Sequence, residues 1–247
     1  MPALHVQMLP QFLAGQPLQE TITVVIDVLR ASTTMIHALA HGASSIIPCL
    51  TVEEAQQTAS RLPTDSRLLG GERHGRLIPG FDLGNSPLDY TLERVQGKTL
   101  VFTTTNGTRA LLECRTAARV AIGAFVNRQA IVDLLSKEGR DVHLVCAGTD
   151  GQLTAEDILF AGAVASDLLS LDPSPWVAGN VQAQMAADYF QARSRSREQF
   201  CEAFSSSRGA TNLIELGMTR DIDRCLEENL FSCVPCWEAR TGMVQLN

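Results

Sequence analysis

The stretch 99-TLVFTTTNGTRALLE-113 decides the architecture: a β-branched apolar run passes through three threonines, Asn106 and Gly107 and turns at once into a helical pattern. Two other stretches share this order of apolar run, small polar loop and helix. They are 24-VVIDVLRASTTMIHA-38 and 144-LVCAGTDGQLTAEDILFAGA-163. Working outward, strand-like runs fall at 21–27, 43–50, 66–72, 98–104, 118–124 and 141–148, each bounded by Gly, Pro, Asp or Asn. Helical patterns fall at 32–41, 52–62, 107–115, 127–138, 154–170, 179–193, 197–207 and 209–217. The alternation predicts a layered α/β/α fold with a mostly parallel or mixed sheet. Ligands of such sheets gather at the carboxyl ends of strands, so the three loops are predicted to wall one site.

Beyond about residue 172 the pattern changes, with two prolines in DPSPW (172–176) and a run RSRSR at 193–197 that reads as a solvated face. No linker forces a division. The expectation is one unit over 1–247, with two lobes near 1–125 and 126–247 sharing a cleft.

The net charge of −7 argues against a nucleic-acid partner or an anionic membrane surface, so an anionic ligand must be held by local cations or a metal. No apolar run approaches the roughly 20 residues of a membrane span, and the first residues lack the basic-then-apolar order of a secretory signal, which makes the cytoplasm the expected compartment. Seven cysteines, an odd number, do not form a disulfide framework. The pair in 233-CVPC-236 lacks a second pair for zinc and a following helix for thioredoxin-type chemistry, so packing is its expected role. Oligomeric state is not fixed by the sequence, and a homodimer is compatible with it.

The 103–109 loop offers Thr104, Thr105 and Thr108 hydroxyls, a close backbone approach at Gly107, and Arg109 as a charged fork, beside Asn106 at a helix start. It is a phosphate cradle without a P-loop lysine, or else a capped helix after an ordinary Asn-Gly turn. Asp27 ends an apolar strand, where a carboxylate serves as metal ligand or nucleophile. An aspartyl-phosphate enzyme of the haloacid-dehalogenase type would carry a second acid two residues on, and Leu29 stands there instead, which favours metal binding. Arg30, Ser32 and Thr33 follow at a second helix start and suit a phosphate, sulfonate or carboxylate. In 70-GGERHGRLIPGFDLGNSP-87, Glu72 is the second candidate metal ligand, with Arg73, Asn85 and Ser86 beside it, while His74 reads as a solvated loop residue more than as a proton donor. Asp157 sits at the capping-box position after Thr154, which gives it a structural role and also places a third carboxylate on the same rim.

VVIDVLRASTT, GGER, GFDLGNSP, TTTNGTRAL and the AGT–ED–AG segment, in this order, together with 216-LGMTRDIDRCL-226 and Val234-Pro235, resemble the 2-phosphosulfolactate phosphatase family over nearly the whole chain. The resemblance implies a family-specific α/β fold with the site in a cleft. It also implies a Mg²⁺-dependent phosphoric monoester hydrolase that converts 2-phosphosulfolactate to 3-sulfolactate and phosphate. The positions that match are Asp27, Arg30, Ser32, Thr33, Glu72, Arg73, Asn85, Ser86, residues 104–109 and Asp157. Assigning Asp27, Glu72 and Asp157 to Mg²⁺, and Arg30, Arg73 and Arg109 to the anionic groups of a small phosphomonoester, is our own expectation, with water as the attacking group. The segment 208-RGATN-212 departs from the family pattern and raises the question of altered specificity. Competing readings are a phosphatase for another small phosphorylated hydroxy acid and a non-catalytic anion-binding module.

Overall fold

The computed structural model describes residues 1–171 and 175–246. Of the proline-bearing stretch, Asp172, Pro173 and Ser174 lie outside the described residues. The strands are β1 (Ala3–Gln7), β2 (Ile22–Ile26), β3 (Ser45–Pro48), β4 (Arg67–Arg73), β5 (Arg76–Leu77), β6 (Thr99–Thr103), β7 (Arg119–Gly123), β8 (Val142–Cys146), β9 (Val177–Ala178), β10 (Pro235–Glu238) and β11 (Met243–Leu246). The helices are α1 (Ala31–Ala40), α2 (Val52–Ser60), α3 (Leu92–Val95), α4 (Gly107–Glu113), α5 (Arg128–Glu138), α6 (Ala155–Leu169), α7 (Val181–Arg193), α8 (Arg197–Ser205), α9 (Arg208–Glu215) and α10 (Thr219–Cys225).

The sheet has the order β5-β4-β6-β3-β11-β10-β7-β2-β8-β1-β9. Two parallel blocks make it up: β4, β6 and β3 on one side, and β7, β2, β8, β1 and β9 on the other. The C-terminal hairpin β10–β11 is wedged between them. It pairs antiparallel with β7 through β10 and with β3 through β11, so the two blocks run in opposite senses. Strands from either side of residue 125 interleave, since β8 lies between β2 and β1 and the hairpin lies between β7 and β3.

The layering follows from the strand sequences. All five residues of β2, ITVVI, are buried, as expected for a strand covered on both faces. Successive side chains point to opposite faces. Val24 and Ile26 therefore join the core with Ile131, Leu159, Phe160 and Phe204 under α5, α6 and α8, while Val25 joins the core with Met35, Ile36, Leu39 and Leu111 under α1 and α4. Leu144 and Val145 of β8 divide in the same way. Each such aliphatic side chain contributes roughly 1.5–3 kcal/mol by leaving water. The fold is thus three-layered α/β/α, as the alternation predicted. Helix α6 is buried along most of its length, and Gly162 allows the α7 backbone to approach so closely that any Cβ there would overlap the Ala186 carbonyl.

The predicted strands and helices are all present, most of them shorter by one to a few residues at their ends, with β4 and α1 shifted by one residue at unchanged length. Missing from the sequence reading were β1, the short β5 and β9, α3, α10 and the C-terminal hairpin. Cys236 belongs to β10, opposite Ala121, and all seven cysteines are free. The run at 194–196 lies exposed between α7 and α8. Among the described residues, no helix is long and apolar enough to cross a membrane.

Candidate active site

A cavity of about 540 Å³ opens where the start of α1, the β4–β5 hairpin, the loops after β6 and β8, and α9 meet. All three predicted junctions reach it, through Asp27, Leu29 and Arg30, through Thr104, Thr105 and Asn106, and through Thr149 and Asp150. The opposed sense of the two blocks does not separate them. Carboxyl ends of β2 and β8 from one block face those of β4 and β6 from the other across the cavity.

The first half of the site is acidic and buried. Asp27 ties the end of β2 to the start of α1: its Oδ1 accepts the Ala31 amide at 3.0 Å and its carbonyl accepts the Ser32 amide at 2.8 Å. Gly107 lies against it, and a Cβ there would stand 2.8 Å from Asp27 Oδ2 and 2.7 Å from the Ala31 Cβ. Burial, and then the charge of Asp157, push the Asp27 carboxyl up to about 8. Asp157 accepts the Val28 amide at 2.9 Å and the Gly148 amide at 3.0 Å, so it ties the loop after β2 to the loop after β8. Burial and the neighbouring Glu156 raise it to about 8 as well. Glu156 is itself buried, with Oε2 unpartnered, and burial lifts it to about 7. Gly209 of α9 packs against the Glu156 carboxylate so tightly that a side chain there would collide with it.

The second half is a closed hydrogen-bond lattice. Glu72 Oε1 accepts both the Thr105 amide, at 2.8 Å, and the Thr105 hydroxyl, at 2.9 Å, while Oε2 accepts the Gly75 amide at 2.8 Å. Glu72 thereby fixes the hairpin to the loop after β6. The Thr108 hydroxyl accepts the Thr104 amide at 3.2 Å, and the Thr104 hydroxyl accepts the Thr108 amide at 3.3 Å. Asn106 holds the N-cap position of α4 without a side-chain cap, and its Oδ1 accepts the Asp150 amide at 3.2 Å. The amides of Asn106 and Gly107 have no acceptor among the described residues. Asn85 lines the cavity with a buried, unpartnered side-chain oxygen.

Several sequence expectations change here. Arg30 reaches the cavity but is already engaged: its Nη1 donates to Asp221 Oδ2 at 2.5 Å and its Nη2 to the Gly75 carbonyl at 3.0 Å, after a cis Leu29–Arg30 peptide. Arg73 turns away from the cavity and donates to the Glu72 and Leu50 carbonyls and to the Thr103 hydroxyl. Arg109 lines a separate cavity with Leu13 and Glu113. Of the three arginines expected as anion anchors, only Arg30 faces the site. Ser32 and Thr33 are fully buried, with their hydroxyls donating to the Val25 and Val28 carbonyls, so they hold the β2–α1 turn and do not line the cavity. Ser86 donates to Asp221 at 2.7 Å, outside the cavity wall. Thr154 gives α6 no side-chain cap, and the Asp157 carboxylate is taken up by the two loop amides, so no capping box forms. Asp157 does not line the cavity, which removes it from the first rank of metal ligands, and among the described residues no three of His, Cys, Asp and Glu are gathered as a ready metal site. His74 is exposed at the hairpin tip on the cavity wall, with φ +54°.

Residues missed by sequence reasoning are Glu156, Asp150 and Asp221, while the α9 wall carries the segment 208–212 that the sequence had set apart as bearing on specificity. Asp221 left a signal as one of the two acids in 216-LGMTRDIDRCL-226. Its partner Arg30 is far away in the chain.

A family model described as 2-phosphosulpholactate phosphatase matches residues 8–240. A protein of Caldanaerobacter subterraneus subsp. tengcongensis named "Probable 2-phosphosulfolactate phosphatase" is 40% identical over 228 residues, covering 92% of this chain and 91% of that protein. One of the same name from Thermotoga petrophila is 42% identical over 219 residues, covering 89% and 90%. Another, from Thermotoga maritima, is 41% identical over the same length. With the match running through both halves of the cavity wall and both blocks of the sheet, this chain belongs to the 2-phosphosulfolactate phosphatase family.

Proposed function

We propose that this chain is a Mg²⁺-dependent phosphatase that hydrolyses 2-phosphosulfolactate to 3-sulfolactate and phosphate. One observation carries the reading above the others: in a chain of this family, Asp27, Glu72 and the 104–106 loop, distant in sequence, line a single cavity.

The donor set fits a hard divalent cation. Carboxylates of Asp27 and Glu72 face the cavity, and Asn85 has a buried oxygen without a partner. Mg²⁺ usually takes one or two carboxylates and completes its shell with water and substrate phosphate, so a full protein cage is not needed. The cavity is lined by four acids, Asp27, Glu72, Asp150 and Glu215, against three arginines, Arg30, Arg76 and Arg208. Protein groups alone leave it short of the positive charge that a substrate with phosphate, sulfonate and carboxylate requires. Bound there, Mg²⁺ supplies charge neutralisation at the phosphoryl oxygens.

The chain's own residues orient the ester. Open amides of Asn106 and Gly107 donate to phosphoryl oxygens, and Gly107 keeps that backbone close to Asp27. Glu72 keeps Thr105 in register, and Asp157 holds the Val28 and Gly148 amides so that Asp27 stays aimed at the cavity. Thr104 and Thr108 hydroxyls are committed to each other's amides, the Thr105 hydroxyl donates to Glu72, and Ser32 and Thr33 lie outside the cavity, an arrangement that favours water over a side-chain nucleophile. The acidic surface balance and the seven free thiols suit a cytoplasmic enzyme without a nucleic-acid partner.

The test is phosphate release from 2-phosphosulfolactate, 2-phospholactate and phosphoglycolate, with Mg²⁺ and after chelation. The account expects the highest kcat/KM for 2-phosphosulfolactate and its loss on chelation. Equal rates on all three would overturn the substrate assignment, and binding without turnover under any divalent cation would overturn the enzyme assignment.

A further inference from the structure

We infer that Arg208 selects the substrate by pairing with its sulfonate. This rests on the function proposed above and adds a residue to it that neither half of the site includes. Three arginines line the cavity, and they are not equivalent. Arg30 is buried and clamped by Asp221, the Gly75 carbonyl and Met218 Sδ, so its donors are largely spent. Arg76 is exposed on the two-residue strand β5, with no ion pair or hydrogen bond ordering its side chain among the described residues. Arg208, at the start of α9, is the intermediate case. Its Nη2 meets Asp150 Oδ2 at 2.9 Å, and Asp150 is in turn held by its amide to Asn106, on the loop that faces the phosphoryl group.

The Arg208–Asp150 pair is about half exposed, with side-chain exposures of 44% and 51%. Such a pair is screened by water and is worth little, so exchanging the carboxylate for an anionic group of a ligand costs little. The guanidinium is nevertheless already positioned at the rim, which reduces the ordering it must undergo when a ligand arrives. Of the two acid groups that are not transferred, the carboxylate is the better partner for a hard cation. The sulfonate spreads its charge over three oxygens and is left for a planar guanidinium donor.

Arg208→Gln, Arg208→Lys, Asp150→Asn and Arg76→Gln are compared on 2-phosphosulfolactate and on 2-phospholactate, which lacks the sulfonate. Steady-state kinetics are combined with calorimetric binding. Arg208→Gln is expected to raise KM and weaken binding for 2-phosphosulfolactate by roughly 10- to 100-fold, the range for a charged hydrogen bond, while kcat and the values for 2-phospholactate change less than about threefold. Arg208→Lys is expected to recover part of the loss. Asp150→Asn frees the guanidinium and is expected to keep the preference for the sulfonated ester, whereas a merely structural latch would make it behave like Arg208→Gln. Equal losses on both esters, or a preference that follows Arg76, would overturn the assignment. Should the wild-type protein hydrolyse neither ester, the proposed function falls, and the binding ratio still decides Arg208: a sulfonate preference lost in Arg208→Gln supports it, and no preference, or no binding at all, overturns it.

Discussion

The two halves of the cavity are built on opposite principles. Around Glu72 and Thr105 every carboxylate oxygen accepts a protein donor, and the two threonines at 104 and 108 satisfy each other. Around Asp27 three carboxyl groups are buried together, and burial first, then the charges of their neighbours, push them above the ordinary carboxylate range. The half around Glu72 is a finished scaffold. The half around Asp27 carries electrostatic repulsion that burial amplifies and that a bound cation would relieve. The difference points to a division of labour: the half whose groups are left in conflict is the one that a cation would relieve, and the half whose groups are content fixes the placement of Thr105 and of the open amides at 106 and 107.

The sharpest way to break this contrast is Asp27→Asn. It should lower kcat/KM by about 10²–10³-fold or more, as removal of a central electrostatic group does, while leaving the folded protein intact in a thermal melt. Near-normal turnover in the folded variant would remove Asp27 from the site. In the hydroxyl half, Thr105→Val deletes one of the two donors to Glu72 Oε1 and should reduce kcat/KM by about 10–100-fold, the range for a supporting hydrogen bond. Complete loss of turnover with unchanged binding would instead mark Thr105 as the nucleophile and displace water from that role.

A smaller effect follows from the acid cluster. Asp27 and Asp157, near 8 when folded against an ordinary 3.8, and Glu156, near 7 against 4.5, bind protons more tightly in the folded state. Their contribution to stability is fully present below those ordinary values and is lost as pH rises through 7 to 8. Chelator-treated protein is therefore expected to lose several degrees of Tm between about pH 5 and pH 8.5, and Asp27→Asn to lose less. A flat profile, or a wild-type Tm that rises over this window, would contradict the cluster's electrostatics.

Much of this was legible in the sequence. The three junctions announced themselves because local turn chemistry and β-branched runs fix strand, loop and helix without outside help, and Asp27, Glu72 and Asn106 do line one cavity. What escaped depends on distant partners. The hairpin β10–β11 is short, contains Pro235 and derives its stability from being wedged between β7 and β3. Arg30 looked like a free anion anchor because Asp221, which neutralises it, lies on α10. Arg73 and Arg109 sit in the right motifs, yet one points to backbone carbonyls and the other to a different cavity, a choice of direction that spacing alone does not encode. Glu156 was overlooked beside Asp157, because only folding brings α9 and Gly209 against it.

The central claim is that Asp27 anchors a divalent cation in the acidic half of the cavity. Melting curves of chelator-treated wild type and Asp27→Asn, with and without saturating Mg²⁺, test it without reference to any substrate. Ligand binding to the folded state alone raises its stability by RT ln(1 + [L]/Kd), about 2.7 kcal/mol at a hundredfold excess over Kd. The account expects a clear Mg²⁺-dependent rise in Tm for the wild type and almost none for Asp27→Asn. An equal rise in both proteins, or none in the wild type, would contradict it.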